Sequence, residues 1–313
     1  MRRTTRLGVA GVLTLGVALA GCSDGGDGGD GGGGGGGAGG DDGVSAALER
    51  LPAPSGDGQV IVRYTDLAAV REANGLDVPD VGDPEAVSAF VRATADLEDG
   101  AAAYALPTAL DEVSPPDESV DRYGFSWVQA DLVVGVQSGA PALASYAFAD
   151  DVEAPDDLVE TGTDSVLGVS EEGPFLAVDG SRAAVTVDEP LAQAWLDPDA
   201  TLADDDVLAD LAAALDDEGA ITAQLSTLGD DQAVGIGLSV EDGRPAFAVA
   251  YRLASDEAAE GAVDQLRREY ADVDELEVDD VEADGSVVTV TGRSDEVSAP
   301  IRLYNNFGLP VPG

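Results

Sequence analysis

Carboxylates dominate the side chains of this chain that could do chemistry. It carries 62 Asp plus Glu against 15 basic residues, every one of them Arg, and it has neither Lys nor His. That excludes a histidine general base, a Ser-His-Asp triad, a Ser-Lys dyad, a Schiff-base lysine and a P-loop lysine. Two acidic runs have spacings that a hard cation could use. Asp280-Val281-Glu282-Ala283-Asp284-Gly285 sets acids at positions 1, 3 and 5 and glycine at position 6 of a twelve-residue calcium loop. Its twelfth position is Thr291, where a bidentate Glu is needed, and Val287 to Val290 reads as a strand. A hairpin turned at Asp284-Gly285 accounts for the run better, which leaves Asp280, Glu282 and Asp284 as weak metal candidates only. Asp204-Asp205-Asp206 reads as the acidic first turn of a helix, favoured by the helix dipole. The expectation is no catalytic residue, no metal and no cofactor.

A carboxylate pair of the kind used in glycoside hydrolysis needs only two acids. No pair stands out here, and aromatic platforms for a sugar are scarce: Trp127 and Trp195 are the only tryptophans and read as core residues. The D-T-G and D-S-G motifs of aspartic proteases are absent. Arg63 lies on a strand face opposite Val62 and is a partner for an acid or an anion. The net charge of −47 repels phosphate backbones, so no nucleic acid is expected as a partner. GC-rich codons supply arginine freely, so its scarcity beside 42 Asp and 20 Glu points to selection against positive charge and to a halophilic protein.

The amino terminus is a targeting segment. Arg2, Arg3 and Arg6 precede an apolar run from Leu7 to Leu19, too short for a comfortable span of about 20 residues. Leu19-Ala20-Gly21-Cys22 follows, and Cys22 is the only cysteine. These four residues resemble the lipobox of bacterial lipoproteins. The resemblance implies cleavage before Cys22, lipid on its sulfur and a chain exported to the outer face of the cell membrane. Ser23 to Gly43 is almost entirely Gly and Asp and reads as a flexible tether with a reach of roughly 25 Å.

Beyond the tether the pattern predicts helices over Val44–Leu51, from the Asp66 cap to Asn74 with Gly75 as the stop, from Asp83-Pro84 onward, and over Ala101–Val113 with a break at Pro107. Ser114 to Asp117 reads as a turn or linker. Strands alternate with further helices at Asp150–Glu160, Asp188–Leu196, Asp204–Asp216 and Ser255–Tyr270, and Ser298 to Gly313 reads as an irregular tail. Gly139-Ala140-Pro141-Ala142-Leu143-Ala144 matches Gly243-Arg244-Pro245-Ala246-Phe247-Ala248 at an offset of 104, and Tyr146-Ala147-Phe148 matches Tyr251-Arg252-Leu253 one residue later. Each copy sits on the returning arm of a hairpin. The expected fold is therefore α+β, with antiparallel sheets, helices on one face and two repeated ββαββ-like units.

The chain is accordingly divided into signal peptide 1–21, lipidated Cys and tether 22–43, a mostly helical α/β segment 44–116, repeat units 117–200 and 201–297, and tail 298–313. From about Gly124 on, the order of features resembles uncharacterised exported lipoproteins of high-GC bacteria. The features are the hairpin running into Tyr146-Ala147-Phe148-Ala149-Asp150-Asp151 and Leu202-Ala203-Asp204-Asp205-Asp206 before an amphipathic helix. That resemblance implies an extracytoplasmic globular domain and carries no functional residue. The expected function is a lipid-anchored, non-enzymatic binding or scaffolding module whose partners are the membrane and an unknown protein or small molecule. The alternatives are a transporter's solute-binding lipoprotein and a carboxylate-dependent hydrolase.

Overall fold

A computed structural model describes residues 43–54, 58–94, 101–108, 116–139, 142–156, 158–161, 165–169, 173–229, 232–306 and 308–312. Cys22, the lipobox and tether residues 23–42 lie outside these residues, as does Pro141. No described helix is long and apolar enough to cross a membrane.

The α+β antiparallel class holds. Among the described residues twelve strands form one sheet in the order β11-β12-β10-β9-β8-β1-β2-β3-β7-β6-β5-β4, so segments 44–116, 117–200 and 201–297 all contribute to it. The strands are β1 Val60–Asp66, β2 Leu132–Ser138, β3 Ala142–Ala147, β4 Val159–Glu160, β5 Val166–Gly168, β6 Phe175–Asp179, β7 Arg182–Thr186, β8 Thr222–Thr227, β9 Ala233–Glu241, β10 Arg244–Arg252, β11 Glu277–Asp284 and β12 Val287–Arg293. The helices are α1 Val44–Glu49, α2 Leu67–Asn74, α3 Pro84–Thr94, α4 Pro116–Tyr123, α5 Glu189–Leu196, α6 Asp206–Asp217, α7 Asp256–Tyr270 and α8 Ala299–Asn305.

Helices cover both faces of the sheet, not one. Strand alternation decides this. On β10, Ala248 and Ala250 enter the cluster built with α1, α5 and α6, whereas Phe247, Val249 and Tyr251 enter the cluster built with α7 and α8. On the first half of the sheet, Ala144, Tyr146, Leu176 and Val185 face a third cluster that includes Leu67 and Val70 of α2 and Phe90 of α3. The one-face expectation thus describes α7 within its own unit. The joining helices α5 and α6 bury their stripes on the opposite side.

The two halves share one strand order, although among the described residues the first lacks the helix expected within a ββαββ unit. β1 and β8 meet antiparallel at the centre, with Arg63 opposite Gln224. Outward from that pair, β1-β2-β3-β7-β6 and β8-β9-β10-β12-β11 follow the same order. A two-fold axis normal to the sheet relates them, and such an axis keeps residues on their own face. Leu143 therefore corresponds to Ala248, with which it shares a cluster, and not to Phe247, which points the other way. Ala144 answers Val249, Val185 answers Val290 and Leu176 answers Val281, an offset of 105, whereas Gly135 of β2 answers Ile236 of β9, an offset of 101; the Ala142-Leu143-Ala144 match is therefore one residue out of step and the tyrosine match is in step. Asp179-Gly180-Ser181 and Asp284-Gly285-Ser286 are equivalent two-residue hairpin turns whose glycines have φ of +60° and +56°. Phe148 N donates to Ser181 O and Leu253 N to Ser286 O, both at 2.9 Å.

Four local expectations are corrected. Asp150–Asp156 is not helical: Pro155 breaks the pattern, Val152 N donates to Gly180 O, and Val152 and Ala154 pack onto the aromatic cluster. In chain order β4 and β5 take the place of α7, but β5 pairs edge-on with β6 whereas α7 packs against the face of β11 and β12. Ala101–Thr108 is an extended strap rather than a helix, because its backbone is spent on side chains of the central strands; residues 109–113 lie outside the described set. Of the expected Ser114–Asp117 linker, Pro116 and Asp117 are the first residues of α4, and Ser114 and Pro115 lie outside the described set. The tail contains α8, where Pro300 occupies the first turn and loses no intrahelical bond.

Candidate functional site

The centre of the face carrying α7 and α8 is polar. Thr65, Thr222, Gln224 and Ser226 are buried there with Arg63 beside them. The strap runs over them: Thr222 Oγ1 donates to Tyr104 O at 2.5 Å, Leu106 N donates to Thr65 Oγ1 at 3.0 Å, and Arg63 Nη1 donates to Pro107 O at 3.1 Å. Gln224 Nε2 donates to Asn305 Oδ1 from the other side. Arg63 thus binds a carbonyl and the threonine hydroxyls are paired with the strap, while Gln224 Oε1 is buried without a hydrogen-bond partner.

On the opposite face, a groove of about 1040 Å³ opens at one end of the central strands. One wall is the bridge between Pro52 and Thr201, continued by Ala53 N donating to Ala200 O at 2.9 Å. The other wall is the sheet end, Gly58 to Val60 and Thr227 to Gly229. Asp204 and Asp205 stand at the rim, but both are engaged: Asp204 accepts from Thr201 N at 2.8 Å, and Asp205 caps α6 through Val207 N and Leu208 N. The Asp204-Asp205-Asp206 run is therefore a helix start, as the sequence suggested. The groove is larger than most small-molecule sites, is lined chiefly by backbone and small side chains, and holds no free charged group at its rim aspartates.

A second recess of about 280 Å³ lies at the other end of the same face. Glu218, Glu241, Asp279 and Arg293 line it, with Phe247 and Gly292 as floor. Arg293 pairs with Glu241 at 3.2 Å and with Asp279 at 3.6 Å. Glu218 is half-buried, and burial together with the charges of Glu282, Glu241 and Asp217 raises its pKa. Glu241 and Asp279 are about half exposed, so the recess is an open acidic surface and not a closed pair of facing acids.

Asp280, Glu282 and Asp284 lie on β11, with Asp280 opposite Thr291 and Asp284 closing the turn against Val287. Among the described residues no group of three or more His, Cys, Asp or Glu could hold a metal ion. Trp127 and Trp195 are buried; Trp195 Nε1 donates to Ser145 Oγ at 3.1 Å and its ring lies under Arg182. The buried Tyr251 and Tyr270 share a 2.7 Å hydrogen bond, and Tyr251 donates to Pro310 O at 2.6 Å, pinning the tail. Burial pushes both phenols up, and Tyr304 up to about 12, so none supplies a base near neutral pH. The groove carries no motif: its walls come from residues 53, 58, 201 and 227, and no local pattern joins them. No protein family, curated protein or solved structure matches the chain.

Proposed function

We propose that the chain is a lipid-anchored binding or scaffolding module without enzymatic activity, held at the outer face of the cell membrane through Cys22. The observation that carries the reading is where the groove sits relative to the chain entry. Gly43, at the end of the tether, packs on Asp216, whose carboxylate accepts from Val44 N at 2.7 Å and Ser45 N at 3.0 Å. The groove lies at the other end of α6, a helix of 12 residues and so about 18 Å long. A chain entry at one end of α6 and a groove at the other leave the groove clear of the point where the tether joins the domain, which suits a tethered binding module. The single sheet through both halves favours one module over a two-lobed solute receptor. The open, Arg-paired acids favour binding over carboxylate hydrolysis.

Two measurements test the reading. Membrane-bound protein should begin at Cys22 with lipid on its sulfur by intact mass, and Cys22→Ser should release it or leave the precursor uncut; an unmodified Cys22 in the membrane fraction refutes the anchor. A thermal-shift screen of the full chain with metals, sugars, amino acids and peptides should find a ligand whose shift disappears in Gly229→Trp. Gly229 lines the groove and a Cβ there meets nothing within 4 Å, so a side chain starts from open space on the groove wall. A shift that Gly229→Trp leaves unchanged places the site elsewhere.

A further inference from the structure

The two halves treat their outermost shared strand differently. In the first half, β6 is covered along its outer edge: Leu176 pairs with Leu167 of β5, and Val178 N donates to Ser165 O at 3.2 Å. In the second half, the equivalent strand β11 ends the sheet among the described residues. Its register shows which backbone groups face outward. The Asp284–Val287 pair closes a two-residue turn and is hydrogen-bonded, so the Glu282–Thr289 pair is too, and the alternate residues Val281 and Ala283 turn their N–H and C=O away from β12. These are the counterparts of Leu176 and Val178, the residues of β6 that hold β5.

The edge is dressed for a particular visitor. Val281 O accepts from Arg267 Nη2 at 2.8 Å, and Val281 N donates to Asp280 Oδ1 at 2.7 Å. Arg267 is more than half exposed and also lies 3.8 Å from Asp280. Side chains, not a strand, thus occupy the outward groups of Val281, and both can swing away. Around them Glu277, Asp279, Asp280, Glu282 and Asp284 are all exposed. A second copy docking there antiparallel would set these five acids against five more, and β4, the opposite edge, offers only two residues.

We infer that the outer edge of β11 is a docking site for one extended, lysine- or arginine-rich segment of a partner protein. The segment adds a strand opposite Val281–Ala283 in the register β5 takes on β6, displaces Arg267, and sets its basic side chains against the acids. The backbone bonds fix the register and the charges select the sequence. This rests on the reading of the chain as a binding module but uses a different surface from the groove.

The test is fluorescence anisotropy of a labelled ten-residue peptide alternating Lys with Val and Thr. It is titrated with the full chain at the lowest salt at which circular dichroism shows the protein folded. Three comparisons decide the outcome. The same peptide with its edge-facing amides N-methylated keeps every charge and loses the strand bonds; it should bind at least tenfold more weakly. Ala283→Pro removes only an outward N–H, which an edge strand tolerates, and should weaken the parent peptide about tenfold while its melting curve stays unchanged. Arg267→Ala uncaps Val281 O and removes a competing cation, and should tighten binding severalfold. Equal binding of both peptides, or no effect of Ala283→Pro, overturns the inference and leaves only charge attraction. Gly229→Trp should leave peptide binding untouched, so failure at the edge and failure at the groove are told apart.

Discussion

Leu215 locks α6 against the sheet through two glycines, and cutting it back tests the packing on that face quantitatively. Leu215 is fully buried; its Cδ1 lies 3.2 Å from where a Cβ at Gly235 would stand, and its Cδ2 lies 3.1 Å from the same position at Gly237. Leu215→Ala removes three carbons from a closed site, which costs about 2–5 kcal/mol. At about 2–4 °C per kcal/mol for a unit this large, a loss near ~3 kcal/mol lowers Tm by about 6–12 °C. Gly237→Ala alone brings a methyl within 3.1 Å of Leu215 and 2.8 Å of Ala220 Cβ, an overpacking cost of about 1–3 kcal/mol. In the double variant the methyl enters space that Leu215 has left; the close approach to Ala220 remains, and the retained Cβ of residue 215 lies at an ordinary 3.7 Å. The combined loss should therefore fall short of the sum by at least about 1 kcal/mol. Urea midpoints at molar sodium chloride, with m-values held constant, read this directly. Additivity to within about 0.5 kcal/mol would falsify the claim that β9 carries glycines in order to admit α6.

Three further outcomes are expected. Removing Arg2, Arg3 and Arg6 with the signal takes the net charge from −47 to −50; the repulsion that follows is screened at about 1 M salt, where the Debye length is roughly 3 Å. Tm should climb steeply with sodium chloride, and a flat profile refutes the halophilic reading. Glu218 holds its proton more tightly folded than unfolded, so its contribution favours folding below its ordinary pKa and is lost as pH rises through the raised value. Glu218→Gln should raise the urea midpoint at pH 7 and leave it unchanged near pH 4; an equal effect at both pH values assigns the change to packing. Asp216→Ala removes the carboxylate that caps α1 in place of Gly43, which has no side chain to do so, and should cost about 1 kcal/mol. A wild-type denaturation curve would show that solvent caps α1 equally well.

Where local chemistry decides the structure, the sequence can be read directly. Asp66 caps α2 by accepting from Ala69 N at 2.8 Å, and Gly75 ends it at φ +63°. Ser255 caps α7, and Asp284-Gly285 turns a hairpin instead of circling a cation. What escaped was set by distant partners. Residues 101–108 are alanine-rich and read as helix, yet Thr65 and Thr222, remote in sequence, take up the strap's carbonyls. Pro155 and Gly180 together hold 150–156 extended, and Pro300 reads as a breaker until Ile301 is seen buried. The one-residue slip in the repeat has the same origin. The Gly-x-Pro resemblance is a turn signal, whereas the face that each residue takes is fixed by which helix it must meet. The groove and the β11 edge are properties of strand order, and strand order has no local motif.

The central β1–β8 pairing also dictates how the molecule must assemble. Val62 and Leu225 are partners across 163 residues, whereas β9 and β10 close over a two-residue turn. Loop closure for the former costs about 4.5 kcal/mol more than a length-independent constant. Each half can build its own hairpins from neighbouring segments, but the seam between them forms only when both are in place. The middle of the finished sheet is thus expected to form last, which amide hydrogen-exchange labelling during refolding would check through late protection of β1 and β8. Until it closes, β1 and β8 each show an open, hydrogen-bonding edge, and they are the strands with the strongest reason to find each other before finding a neighbour's.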